Sequence, residues 1–151
     1  MTNALSPSVQ MQFVRPAQLE AAARAFPVVY VPFGLIEWHG RHLPLGNDAL
    51  KAHGILVKTA ETFGGVVYPP VYFPHDVNVP ADITPEQAAA DWRLCMLSAL
   101  FERLKQTGFR VIIGVSGHNV QSQIDMVNQA LKPVVAEIGR ASCRERVCST
   151  V

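Results

Sequence analysis

Two near-continuous apolar runs, Val28-Val29-Tyr30-Val31-Pro32-Phe33 and Val111-Ile112-Ile113-Gly114-Val115, limit the folds open to this chain more than any other feature. Strands that are apolar throughout must be covered on both faces, as in parallel sheets. Stretches with helical spacing surround them. Pro16 to Phe26 is Ala-rich and opens with Pro, which suits a first helical turn. Asp48 to Phe63 places Leu50, His53 or Gly54, Val57 and Ala60 at helical spacing and stops at Gly64-Gly65. Thr84-Pro85-Glu86-Gln87 reads as a capping box, opening a helix that runs to about Gln106 and stops at Gly108. Val66 to Phe73 is a further strand, interrupted by Pro69-Pro70. Gln121 to Ala136 is a further helix that Pro133 bends or ends. This order predicts one α/β domain, a mostly parallel sheet flanked by helices.

In such sheets, ligands gather beyond the carboxyl ends of the strands. Glu37 and His39 come directly after the first apolar run, and His118 directly after the third strand. If the chain stays extended, Glu37 and His39 face one cavity and Trp38 turns away. Asp48 follows a Pro/Gly-containing loop at the start of a helical pattern. Carboxylate oxygens and imidazole nitrogens converging on one point suit a divalent metal of borderline hardness. Each residue also has a plainer reading. Asp48 could be a helix N-cap, Glu37 a solvated loop acid, and His39, His42 and His118 turn residues. His53 and His75 read as structural, and Trp38 and Trp92 as packed in the core or an interface.

From Glu137 the chain reads Glu-Ile-Gly-Arg-Ala-Ser-Cys-Arg-Glu-Arg-Val-Cys-Ser-Thr-Val, with no hydrophobic period. This stretch resembles one reading frame of a common sequencing adapter; a natural polar tail is the alternative. The expected division is a disordered N-terminus over 1–10, an incomplete domain over 11–136 and an artefactual tail over 137–151. Removing residues 138–151 takes away three Arg and one Glu and moves the formal charge from +1 to −1. A near-neutral balance without a basic cluster gives no footprint for nucleic acid. Cys143 and Cys148 fall in the tail, which leaves Cys95 as a small buried hydrophobe. No apolar stretch approaches the ~20 residues that span a bilayer, and no signal-peptide core is visible, so the cytoplasm is the expected location.

The run from Val31 to Asp48, with Glu37-Trp38-His39-Gly40-Arg41-His42 at its centre, resembles the signature of the creatininase (creatinine amidohydrolase) family. There a strand leads into Glu-x-His-Gly-x-His, with an Asp eleven residues after the Glu, as here. Gly108 to Asn119, ending Ser116-Gly117-His118-Asn119, resembles the family's second motif. The resemblance runs from about Arg15 to Ala136. It implies a metal-dependent amidohydrolase, commonly a hexamer, acting on a non-peptide C–N bond of a small amide, cyclic amide or formamide. Carried over by position, Glu37, Asp48 and His118 hold one divalent ion (Zn, Mn or Fe). His39 holds a second, with Asp48 bridging the two. A pair of ions about 3.5–4 Å apart can share and acidify a hydroxide. His42 would serve as proton donor or support to the ligands.

The chain also departs from that pattern. Val120 stands where creatininase has a ligating glutamate, and Ser116 where the family has Asn. Many relatives rely instead on a later His/Glu segment, which would lie past Ala136. These residues are therefore expected to be a truncated hydrolase with little activity by themselves. Two other classes compete: a catalytically silent metal-binding or oligomer-forming relative, and a nucleotide-binding module. The last lacks a phosphate-cradling Gly-rich loop.

Overall fold

The computed structural model describes residues 8–74, 85–138 and 149–150. Helix α1 (Pro16–Ala25) leads into strand β1 (Val28–Ile36), which is followed by α2 (Asn47–Phe63). Two short strands, β2 (Val66–Val67) and β3 (Val71–Pro74), precede α3 (Pro85–Gln106). Then come β4 (Val111–Ser116), α4 (Gln121–Ile138) and β5 (Ser149–Thr150). The chain adopts the expected α/β class. Thr84 and His75 lie outside the described residues.

β1 is the spine of the sheet. On one side it pairs in parallel with β2 through Val29–Val66 and Tyr30–Val67, and with β3 from Phe33–Val71 to Ile36–Pro74. On the other it pairs in parallel with β4, from Val28–Val111 to Phe33–Ser116. β5 adds a short antiparallel pairing to β4. Proline has no N–H for a ladder, so Pro32 in this central strand needs an explanation. Tyr30 turns its carbonyl toward Tyr68, and backbone groups two residues apart point the same way. Pro32 therefore faces the gap between β2 and β3. That gap holds Pro69-Pro70, so the missing donor falls where the ladder is already broken.

Alternation along β1 divides the core. Val29, Val31 and Phe33 pack with Leu97, Phe101 and Leu104 of α3 and with Val127, Leu131 and Val134 of α4. Tyr30 faces Ala52, Leu56 and Ala60 of α2. Phe33 stacks on Phe73 at 6.3 Å and meets Phe101 edge-on at 6.1 Å. No helix among the described residues is long and apolar enough to cross a membrane.

Four expectations need correction. The buried face of α2 is Asp48, Ala49, Ala52, Leu56 and Ala60, while Leu50 is 47% exposed. Ala52, Leu56 and Ala60 pack on Tyr30 and Val67 of the sheet. Pro133 does not end α4, which continues to Ile138. Apolar residues on both sides of it, Leu131 and Val134, are buried, so packing carries the helix past the proline. Of the core or interface reading for Trp38 and Trp92 only the core half falls, since they are 71% and 42% exposed, and Trp92 still meets Phe73 edge-on at 6.5 Å. Cys95 is exposed, on the outer side of α3.

His53 on α2 supplies a pH-sensitive element. Its Nε2 is buried with no hydrogen-bond partner among the described residues, and burial holds its pKa below the ordinary 6.5. The unfolded chain then takes up a proton more readily than the folded one, so stability is lost as pH falls through the unfolded value. Thermal unfolding followed between about pH 7 and about pH 5.5 should show a smaller drop for His53→Leu than for the parent chain. An equal drop in both would remove His53 from this role.

Candidate metal centre

The register of β1 against β4 decides which groups meet. Phe33 pairs with Ser116 near the carboxyl ends of these neighbouring strands. Glu37 therefore leaves β1 beside the turn that carries His118. The Glu37 N–H donates to the Leu45 carbonyl (3.0 Å), which closes the loop that returns the chain to α2. Asp48 then enters in the first turn of α2, 3% exposed.

Two glycines let it enter so deeply. A Cβ on Gly34 would overlap the Ala49 nitrogen and come within 2.6 Å of the Asp48 Cβ. A Cβ on Gly117 would overlap the Asp48 carbonyl oxygen. The start of α2 is thus wedged between the end of β1 and the turn after β4. Neither glycine has a positive φ, so the requirement is space, not backbone freedom.

Four side chains converge there. His39 Nε2 lies 2.8 Å from Asp48 Oδ1 and 3.6 Å from Glu37 Oε1. His118 Nδ1 lies 3.0 Å from Glu37 Oε1 and 3.2 Å from Asp48 Oδ2. Asp48 thus offers one oxygen to each imidazole. One ligand atom each from Glu37, His39 and Asp48 fits within a span of 4.8 Å, close enough to share a cation. His42 is exposed, its ring against the backbone of Gly40 rather than in this cluster.

The chemistry of the donors fits a cation. His39 Nδ1 stands 3.2 Å from the Glu37 carbonyl oxygen, which can only accept, so Nδ1 carries a proton. In the neutral ring, Nε2 then presents a lone pair to a carboxylate 2.8 Å away. That contact is repulsive unless a proton or a metal ion lies between them. Asp48 Oδ2 is buried and accepts no hydrogen bond among the described residues, although His118 is near. Two carboxylates whose side chains are 18% and 4% exposed also repel each other in a poorly solvated pocket. Ligands about 2.1 Å from an ion stand about 3.0–3.4 Å apart, the range in which the 2.8–3.6 Å separations here are centred. The hydrogen bond to the Glu37 carbonyl, opposed by burial and joined by the Asp48 and Glu37 carboxylates, raises the His39 pKa above its ordinary value.

Sequence reasoning found the four convergent residues but missed Gly34, Gly117 and Gln123. An isolated glycine inside a strand pattern signals close backbone approach, so Gly34 was findable. Gln123, 5% exposed, has no local signal.

A parallel α/β domain that gathers acids and imidazoles at its carboxyl edge belongs among those with a built site at the strand ends. The particular family follows. Residues 14–150 match the creatininase family, described as creatinine amidohydrolase, and the chain belongs to it. It is similar to the crystal structure of a creatinine amidohydrolase at 19% identity and a TM-score of 0.72, covering 88% of this chain and 53% of that one. A Zn–Zn form of a mutant creatininase matches at 20% identity and 0.71, covering 88% and 53%. A manganese creatininase matches at 18% identity and 0.71, covering 87% and 52%. The chain thus spans about half the length of these structures. No curated protein matches it.

Proposed function

We propose that the full protein is a metal-dependent hydrolase of a non-peptide C–N bond in a small amide, cyclic amide or formamide. The observation that supports this reading is the convergence of Glu37, His39, Asp48 and His118 within hydrogen-bond or ion-pair distance of one another. Glu37, Asp48 and His118 would hold one divalent ion, and His39 a second that shares Asp48. When bound, such ions polarise a carbonyl and acidify a water at neutral pH. The solved relatives in Zn–Zn and Mn forms favour zinc or manganese here, with iron also compatible with mixed O/N donors.

The chain's own groups divide the remaining work. Glu37 and Asp48 fix the charge of the pocket, and Asp48 is locked by its glycine-lined wedge. His39 is oriented by the Glu37 carbonyl. His42, exposed on the same loop, is the candidate proton donor to the departing nitrogen, since imidazole moves protons near neutrality. A cytoplasmic homo-oligomer, a hexamer by family likeness, completes the reading.

The second reading, a silent metal-binding relative, is favoured by Val120 and Ser116. Metal analysis of the full-length protein should find one or two divalent ions per chain, and a chelator should remove amide hydrolysis that added metal restores. Glu37→Gln, which removes charge but keeps shape, should stop turnover in a hydrolase and change no activity in a silent protein. A purified protein without metal and without amide turnover would defeat the proposal. These 151 residues alone are expected to turn over little; robust metal-dependent hydrolysis by them would contradict that.

A further inference from the structure

We infer that Gln123 is a positioning residue for His118, acting through Ser116; the inference rests on reading His118 as a metal ligand. Gln123 lies in the first turn of α4 and is 5% exposed. Its Nε2 donates to Ser116 Oγ at 2.6 Å. The same oxygen accepts the His118 backbone N–H at 3.2 Å and donates to the His118 carbonyl at 2.5 Å.

A hydroxyl has one proton and two lone pairs, and all three are used here. The Gln123 Nε2 and the His118 backbone N–H can only donate, so the single hydroxyl proton must go to the His118 carbonyl. Gln123 thereby fixes the rotation of Ser116, and Ser116 pins both backbone groups of His118. Gly117 between them donates to the Phe33 carbonyl at 2.9 Å. With the turn held at both ends, the imidazole projects toward Glu37 and Asp48. Removing the Gln123 amide leaves the hydroxyl free to rotate and loosens the residue whose ring completes the cluster. Partners of this kind, one step behind a ligand, commonly change metal affinity ~10–100-fold.

The test uses the whole chain and two independent readouts: amide hydrogen exchange at His118 without metal, and visible absorption on titration with cobalt(II). Gln123→Leu and Ser116→Ala should each speed exchange at the His118 amide and weaken cobalt binding ~10–100-fold. The double variant should be no worse than the poorer single, because both act through one oxygen. Ser116→Thr, which keeps the hydroxyl, should stay near the parent in both. If Gln123→Leu fails to fold, Gln123→Glu gives the same answer. A carboxylate can only accept from Ser116, so it takes the proton from the His118 carbonyl and should produce the same losses. Folded Gln123 variants with unchanged exchange and unchanged cobalt affinity overturn the inference. Faster exchange with full affinity makes the network merely structural and overturns it as well. If the parent chain binds no cobalt, the metal reading fails, and the exchange measurement still decides whether Gln123 holds His118.

Discussion

Asp48→Asn is expected to lower affinity for Zn²⁺ or Mn²⁺ roughly a thousandfold while the chain stays folded. Asp48 is the one group whose two oxygens face both imidazoles, at 2.8 Å and 3.2 Å. Asn keeps the shape but loses the charge and turns one oxygen into a donor. Truncating one partner of a buried charge pair at a binding site costs roughly 2–5 kcal/mol of binding, and every 1.4 kcal/mol is about tenfold in affinity. A plainer role for Asp48, an acid in the first turn of α2, predicts something else. It would lose roughly 0.3–1 kcal/mol of stability with the helix dipole interaction and leave metal affinity alone. Competition against a chelator, paired with urea unfolding, separates the two. Affinity within tenfold of the parent would show that the cluster is not built around this carboxylate.

Gly117→Ala is expected to be the most damaging single methyl group that can be added near the site. Its Cβ would overlap the Asp48 carbonyl oxygen, a backbone atom of a docked helix, and cannot be relieved by rotating a side chain. Either α2 lifts away from the sheet or the turn carrying His118 moves. Overpacking of this kind typically costs 1–3 kcal/mol and occasionally more; with backbone on both sides, a loss on the order of 3 kcal/mol is expected. Metal affinity should fall with it, because both possible movements separate Asp48 from His118. Gly54→Ala is the control: a Cβ there meets open space, and Ala favours helix. A Gly117→Ala chain with parent-like urea midpoint and metal binding would show that the wedge is looser than described.

The strands and the convergence of acids and imidazoles could be read from residue order because they rest on local signals. β1 and β4 are apolar runs long enough to stand out, and Glu37, His39 and His118 follow them directly. The face of α2 was misread by one position for a physical reason. Alanine carries little hydrophobic weight, so Ala49 and Ala52 did not outvote Leu50, yet they share the buried face with Leu56 and Ala60. Pro133 read as a bend or an end because proline lacks the helical N–H, and burial of Leu131 and Val134 against α3 carries α4 past it to Ile138. The contacts of Gly117 with Asp48, and of Gln123 with Ser116, join segments that only the folded sheet brings together. No pattern along the chain announces them.

The four convergent side chains come from unequal distances. Glu37, His39 and Asp48 lie within eleven positions of one another, whereas His118 reaches Glu37 across 81 positions of sequence. Closing a span that long is slow and entropically costly compared with forming a short loop. During refolding, the nearby trio can therefore assemble first, and the distant imidazole arrives only when β4 zips onto β1. An ion supplied at the outset would meet a weak, three-pronged trap before the tight one, so its capture should report the order in which the sheet is built.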